Sequence, residues 1–257
     1  MKYALGLLAC EWIKLRSVRS TWIVTACGVA GALALTLLSC NSTLHHWNGW
    51  TPEERAAFDP LGASFSGFVV LQVAMVVLGA VDMGNEYATG SIGQTFAAVP
   101  RRFPALLAKA GVTGAFGLLV GLVTSLAGFL CAQAMFATRR FGISVQDPGA
   151  VRAVAGSALF AGALAVLGLA LASLMRSGLG SVTAGLGVLL VAPLIVHADE
   201  GWLAYLRKAL PTSAARRLLT DDPGKAVPST AHSWWMLLLY PAVATLTMTF
   251  VVRRRDV

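Results

Sequence analysis

Few side chains in this chain are able to perform chemistry, and they do not assemble into a familiar catalytic set. Gly224-Lys225 is followed by Ala226, whereas a phosphate-binding loop needs Ser or Thr there. Ser66 lacks the glycine two positions upstream that rhomboid-like intramembrane proteases carry, and His197 is the base with which it would pair. We therefore predict that the chain is not an enzyme. An intramembrane hydrolase built on Ser66 and His197 remains an alternative.

Metal-ligating side chains are also poorly placed. His45 and His46 are adjacent, so their side chains point apart on most backbones, and no Asp or Cys stands at ligand spacing. The cysteines form no C-x-x-C pair; they are Cys10, Cys27, Cys40 and Cys131. We predict no metal and no cofactor bound by this chain. A disulfide between Cys40 and Cys131 is left open by the sequence.

The elements that must position these residues are long apolar segments. Of the 257 residues, 56% are hydrophobic and only 12% are charged, about half the charge of a soluble domain. Six runs contain no charged residue: Ser20–Leu44, Pro60–Val81, Ala110–Thr138, Ala153–Met175, Ser177–Val196 and Ser233–Val252. Each run reaches the roughly 20 residues with which a helix spans a bilayer. The sequence therefore predicts an all-α membrane protein with six transmembrane helices, which excludes a soluble enzyme.

We place the spans at about 22–38, 64–82, 106–136, 153–175, 179–196 and 234–252, within one domain covering residues 1–257. Before the first span, Leu8, Trp12 and Leu15 follow helical spacing. Glu11, Trp12, Lys14 and Arg16 belong to this predicted interfacial helix. A second interfacial segment, residues 198–233, precedes the last span on the outer side; its role is open.

The net charge of +8 is distributed unequally between the two sides of the predicted bundle. Lys14, Arg16 and Arg19 lie before the first span, and Arg253-Arg254-Arg255 follows the last one. Basic residues close to membrane ends favour the cytoplasm, so both termini are predicted there. The basic side then attracts anionic membrane lipid. A nucleic-acid partner is not predicted, because no basic domain exists to bind one.

The most distinctive polar stretch joins the second and third spans. It runs from Asp82 to Phe96 and then to Val99-Pro100-Arg101-Arg102. A passive connector needs only a few turn residues, whereas this one mixes small polar residues with aromatic and apolar ones. A short helix capped by Thr89 or Ser91 would place Ile92 and Phe96 on one side, where they would be exposed apolar and aromatic anchors. This composition is expected where a soluble partner docks. An ordinary loop whose apolar residues enter lipid is the alternative.

Two stretches resemble the permease subunits of bacterial type-two ATP-binding cassette exporters. The first is Glu11–Trp22 (EWIKLRSVRSTW), and the second is Glu86–Thr95 (EYATGSIGQT) with the Pro-Arg-Arg that follows and Lys109. The number of spans, a short hairpin between the fourth and fifth, and an outer segment before the last span are also similar. Together these features extend over the whole chain.

This resemblance implies a permease that works as a pair of six-helix units on separate cytoplasmic ATPase subunits. Its partners would be that ATPase, which binds ATP and Mg²⁺, a second permease copy or paralogue, and membrane lipid. The residues that would form the coupling helix on the ATPase are Glu86, Tyr87, Thr89, Gly90, Ser91, Ile92 and Phe96. The location would be the cytoplasmic (inner) membrane. A secondary or passive membrane protein on the same scaffold is the alternative.

Polar side chains within the spans bear on the cargo; they are Gln72, Asp82, Thr124, Ser125 and Gln133. Ionisable groups inside a membrane mark ion or proton pathways, but Asp82 falls at the end of its span. The set therefore favours an amphipathic or apolar cargo, such as a drug, a peptide or a lipid. Gly117, Gly121 and Ser125 form a small-residue stripe where another helix is predicted to pack closely.

Overall fold

The computed structural model describes residues 2–98, 102–139, 142–196, 201–220 and 228–254. All regular structure in these ranges is helical. The α-helices are α1 (Lys2–Ser17), α2 (Arg19–His46), α3 (Pro52–Ala56), α4 (Pro60–Ser64), α5 (Phe68–Ala88), α6 (Ser91–Ala98), α7 (Arg102–Ala137), α8 (Pro148–Met175), α9 (Gly178–Leu186), α10 (Ala192–Ile195), α11 (Gly201–Lys208), α12 (Pro211–Leu219) and α13 (Thr230–Arg254). The predicted all-α class is confirmed.

Six helical segments of the described ranges are long and apolar enough to cross a membrane. They are Arg19–Gly49, Phe68–Ala88, Phe103–Ala137, Pro148–Met175, Gly178–Ile195 and Thr230–Val252. Large apolar side chains such as Leu179, Leu194 and Ile195 are exposed on the outside of the bundle. Hydrocarbon is the solvent that suits such a surface, because a helix satisfies its own backbone groups there. The chain is an all-α membrane protein.

The second span differs from its predicted limits of 64–82. Residues up to Ser64 form the separate helix α4, which the Asp59 carboxylate caps by accepting a hydrogen bond from the Gly62 N–H at 2.9 Å. The spanning helix α5 begins at Phe68 and continues to Ala88. Glu86 and Tyr87 therefore belong to the last turn of a membrane helix.

Helix α8 is the centre of the bundle and packs against α5, α7, α9, α12 and α13. Its spanning window is 72% buried, whereas that of the α9–α10 segment is 17% buried. Small residues allow the close approach of α5: a Cβ at Gly79 would overlap the Ala165 carbonyl oxygen, and one at Gly168 would overlap the Val76 carbonyl oxygen. The two backbones are therefore in direct contact.

The end of the bundle opposite α1 carries the predicted outer segment. Trp202 and Tyr205 of α11 are exposed, whereas Leu218 of α12 is fully buried. Arg152 of α8 donates from Nε to the Leu218 carbonyl oxygen at 3.3 Å. The described part of this segment is thus attached to the bundle core through α12. Cys40 and Cys131 are both free thiols, so the disulfide that the sequence left open does not form in the structure.

Candidate functional site

A largely buried group of charged side chains lies at the end of the bundle where α1 meets α5, α6 and α7. We call Glu11, Lys14, Asp82, Glu86 and Lys109 the charged cluster. These residues are separated by as many as 98 positions in sequence and come from three helices, α1, α5 and α7. Three carboxylates and two ammonium groups leave the cluster with one excess negative charge.

Lys109 is the centre of the charged cluster. Its side chain is 5% exposed, and its Nζ lies 2.9 Å from Asp82 Oδ1, 3.3 Å from Glu11 Oε2 and 3.3 Å from Glu86 Oε1. An ammonium group has three N–H donors and no acceptor, so all three donors of Lys109 are used. The other Asp82 oxygen accepts from the Thr113 hydroxyl at 2.7 Å. Asp82 and Glu86 are four residues apart and so face the same side of α5.

Lys14 extends the charged cluster towards α6. Its Nζ donates to Glu11 Oε1 at 2.7 Å, to Glu86 Oε1 at 3.0 Å and to the Thr95 hydroxyl oxygen at 3.1 Å. Burial lowers the pKa of Lys14, but the Glu11 hydrogen bond and the Glu86 and Glu11 charges outweigh it, so the pKa is raised above 10.5. The stabilisation from Lys14 is therefore complete below about pH 10.5 and declines as the pH passes the higher folded-state value.

Such a cluster makes the positions of its helices interdependent. Removing charges from water is costly, and the attraction between them offsets this cost only when the geometry and the hydrogen bonds are complete. In this cluster each ammonium group has three acceptors. A displacement of α6 alone would break the contact between Lys14 and Thr95, and a displacement of α1 would leave Lys109 with one carboxylate fewer. Movement at one helix is therefore transmitted to the others.

Helix α6 is held by apolar contact as well as by Thr95. Ile92 is only 4% exposed and belongs to a buried apolar group with Met83, Leu106, Leu169 and Met248. Burying a side chain of this size contributes about 1.5–3 kcal/mol. The opposite face of α6 and the turn before it are exposed; the exposed residues are Thr89, Gly90, Gly93, Gln94 and Ala97. A partner approaching this end of the bundle would meet that face.

The structure separates the residues of the predicted coupling helix. Glu86 is 9% exposed and points into the charged cluster, and Tyr87 packs partly buried beside the apolar group around Met83. The expectation that Ile92 is an exposed anchor is wrong, because this side chain faces the bundle and packs in the apolar group around Met83. The side chain of Phe96 and residues 99–101 lie outside the described part of the chain.

Thr89, Gly90 and Ser91 form the turn between α5 and α6. The Thr89 hydroxyl donates to the Asn85 carbonyl oxygen at 2.8 Å and contacts Ser91 Oγ at 3.0 Å. Gly90 has φ of +68°, the left-handed conformation that glycine adopts without the Cβ clash of other residues. This turn ends α5 at Ala88 and allows α6 to begin at Ser91.

Replacing Gly90 with Val should destabilise the protein by about 1–2 kcal/mol, the cost of the left-handed conformation for a residue with a Cβ. A Cβ at Gly90 would contact nothing within 4 Å, so the effect isolates the backbone angle. Thermal unfolding in detergent measures it. Gly93→Ala is the control, since Gly93 is helical with open space around it, and alanine there should gain up to about 1 kcal/mol. A melting temperature of Gly90→Val equal to that of the wild type would contradict the prediction.

The predicted residues of the interfacial helix lie on α1, and those of the small-residue stripe lie on α7. Trp12 and Arg16 are exposed on α1, and the Trp12 ring packs 6.1 Å from that of Phe116. Gly117 and Gly121 face α8, where their nearest side chains are those of Ala165 and Ala161 respectively. Ser125 lies further along, lining a cavity of about 10 Å³, the size of a single water molecule.

Lys109 and Thr113 had no predicted role, and Asp82 was predicted to lie at the end of a span. A signal for Lys109 was present, since a lysine two turns inside an apolar helix needs a buried partner. The spacing of Asp82 and Glu86 was a second signal, but it becomes visible only when α5 is known to continue to Ala88. The contact between Thr95 and Lys14 had no signal in sequence.

The arrangement is suited to mechanical coupling of helices rather than to ligand binding. The space among the three carboxylates is filled by Lys109 Nζ. In the described ranges no group of three His, Cys, Asp or Glu side chains is arranged to hold a metal ion. Ser66 Oγ is buried without a hydrogen-bond partner in those ranges, and His197, its predicted base, lies outside them.

No protein-family model matches the chain, and no curated protein matches it.

Proposed function

We propose that this chain is the membrane-spanning permease subunit of an ATP-binding cassette exporter. It would move an amphipathic or apolar cargo, such as a drug, a peptide or a lipid, across the cytoplasmic membrane. The ATP would be hydrolysed, with Mg²⁺, by a separate cytoplasmic ATPase subunit. A second permease copy or paralogue would complete the pair. Both termini would lie in the cytoplasm, on the same side as α6.

The observation that carries this proposal is the attachment of α6 to three other helices through the charged cluster and Ile92. A short helix transmits force only if it is rigid and firmly seated. Lys14 joins Thr95 of α6 to Glu11 and Glu86, and Lys109 continues the connection to α7. A push on the exposed face of α6 would therefore reach α1, α5 and α7 together.

Sequence resemblance also supports the proposal. The two stretches that resemble type-two exporter permeases, Glu11–Trp22 and Glu86–Thr95, are distant in sequence. In the structure they meet, because Glu11 and Lys14 of the first contact Lys109, Glu86 and Thr95. A connector with no mechanical role has no need of such a contact.

The exposed face of α6 is the place to test the proposal. A Cβ at Gly93 would contact nothing within 4 Å, so Gly93→Trp should fold normally and yet cover the proposed ATPase contact. Tagged protein purified from its native cells should retain a chain with a phosphate-binding loop, identified by mass spectrometry. We expect Gly93→Trp to lower this retention by at least about tenfold, as loss of a central contact does.

Gly49→Trp is the matched control, because Gly49 also has open space around it and lies at the other end of the bundle. It should retain the ATPase as the wild type does. Equal retention by Gly93→Trp would show that α6 is not the docking surface. If the wild type retains no nucleotide-binding chain, the exporter proposal fails and a secondary or passive transporter takes its place.

A further inference from the structure

An exposed apolar groove of about 670 Å³ runs between α1 and α7. Its walls include Leu5, Leu8 and Trp12 of α1 and Gly111, Ala115 and Leu119 of α7. Gly111 leaves depth in the wall, since a Cβ there would contact nothing within 4 Å. The groove lies outside the charged cluster, because Glu11 points from α1 towards Lys109 instead.

Aromatic rings and a hydrogen bond fix one end of the groove. The ring of Phe116 packs 6.1 Å from that of Trp12 and 6.0 Å from that of Trp22. Trp22 Nε1 donates to the Arg16 carbonyl oxygen at 2.9 Å, which ties the end of α1 to α2. Tryptophan prefers the headgroup level of a membrane. The aromatic end of the groove therefore corresponds to the boundary between acyl chains and headgroups.

Two arginines, Arg16 and Arg19, lie near the aromatic end of the groove. Arg16 lies four residues beyond Trp12 and so continues the stripe of α1 that lines the groove. Arg16 and Arg19 are both exposed, and neither forms an ion pair with another residue in the described ranges. An apolar groove with two such guanidinium groups at its end is complementary to a lipid with an acyl chain and an anionic phosphate.

We infer that the α1–α7 groove binds one anionic phospholipid, with an acyl chain between the two helices and the phosphate on Arg16 and Arg19. The site is independent of any ATPase at α6. A second copy of the chain fits this end less well, since a two-fold contact here would bring the arginines of both copies close together. Bound lipid would fix the distance between α1 and α7, two helices of the charged cluster.

Native mass spectrometry of the detergent-purified chain tests this inference, with dioleoyl phosphatidylglycerol and dioleoyl phosphatidylcholine as probes. The first phosphatidylglycerol molecule should bind to the wild type at least about tenfold more tightly than the first phosphatidylcholine molecule. The double variant Arg16→Gln, Arg19→Gln should remove this preference, because each arginine raises the affinity for the anionic lipid about fivefold. Gly111→Leu should fill the groove and reduce the binding of phosphatidylglycerol to that of an unspecific lipid.

Two matched controls separate the site from general effects. Arg176→Gln removes an exposed arginine from the turn after α8, and Gly187→Leu fills open space on the fifth span; both should bind lipid as the wild type does. Equal binding of the two lipids by the wild type overturns the inference. The inference is also overturned if Gly111→Leu leaves phosphatidylglycerol binding unchanged but lowers the fraction of dimer. The groove would then be a contact between two copies of the chain.

Discussion

Replacing Lys109 with Met should destabilise the protein by about 3–5 kcal/mol, the cost of removing one partner from a buried ion pair. Glu11 and Glu86 would then share Lys14 alone, and Asp82 would lose the only cation within ion-pair distance of it in the described ranges. Native proteins are stable by about 5–15 kcal/mol in total. We therefore expect a strongly lowered melting temperature in detergent and a small monodisperse fraction on size-exclusion chromatography.

The charge balance of the cluster provides a sharper test. Lys109→Met combined with Asp82→Asn restores the single excess negative charge of the wild type, and the new amide side chain retains an oxygen to accept from Thr113. The double variant should therefore be more stable than Lys109→Met alone. Lys208→Met is the control, since this lysine makes only a cation–π contact with Tyr205 among the described interactions and should cost less than about 0.5 kcal/mol. Wild-type stability of Lys109→Met would refute the assigned role of the cluster.

Replacing Gly79 with Ala should also strongly destabilise the protein, although only one methyl group is added. The new Cβ would overlap the Ala165 carbonyl oxygen and lie 2.7 Å from the Leu169 nitrogen, so it meets backbone rather than a movable side chain. Helices α5 and α8 would have to separate along their contact. Overpacking commonly costs about 1–3 kcal/mol, and we expect at least the upper value because both neighbours are rigid.

Gly111→Ala is the matched control for this substitution and should change stability in the opposite direction. Gly111 lies in α7, and a Cβ added there would have no atom within 4 Å, so alanine gains helix propensity of up to about 1 kcal/mol without a clash. Thermal unfolding of both variants in the same detergent makes the comparison. Equal melting temperatures would mean that α5 and α8 are not in backbone contact at Gly79.

Length and composition were sufficient to predict the spans. An uncharged run of 20 or more residues has one stable structure in hydrocarbon, the helix, whatever its neighbours do. The prediction therefore holds for all six segments. The predicted limits of the spans were less accurate where a helix continues through polar residues, as α5 does to Ala88. The polar residues had been interpreted as the end of the helix.

The candidate site was only partly predictable. Glu11, Lys14 and Glu86 were singled out by type and resemblance, but their mutual contacts with Lys109 were not, because these contacts depend on how α1, α5 and α7 are arranged. Ile92 was predicted on the exposed side of α6 and is buried. Spacing tells which residues share a helix face, and only the neighbouring helices decide which face they cover.

The class of protein, the six apolar helices and the short helix between the second and third could all be predicted from local runs of residues. Tertiary structure decided that five charges from three helices meet at one end of the bundle. The physical reason is that a buried charge is tolerated only beside its counter-charge, and the residues that supply counter-charges here lie far away in the chain.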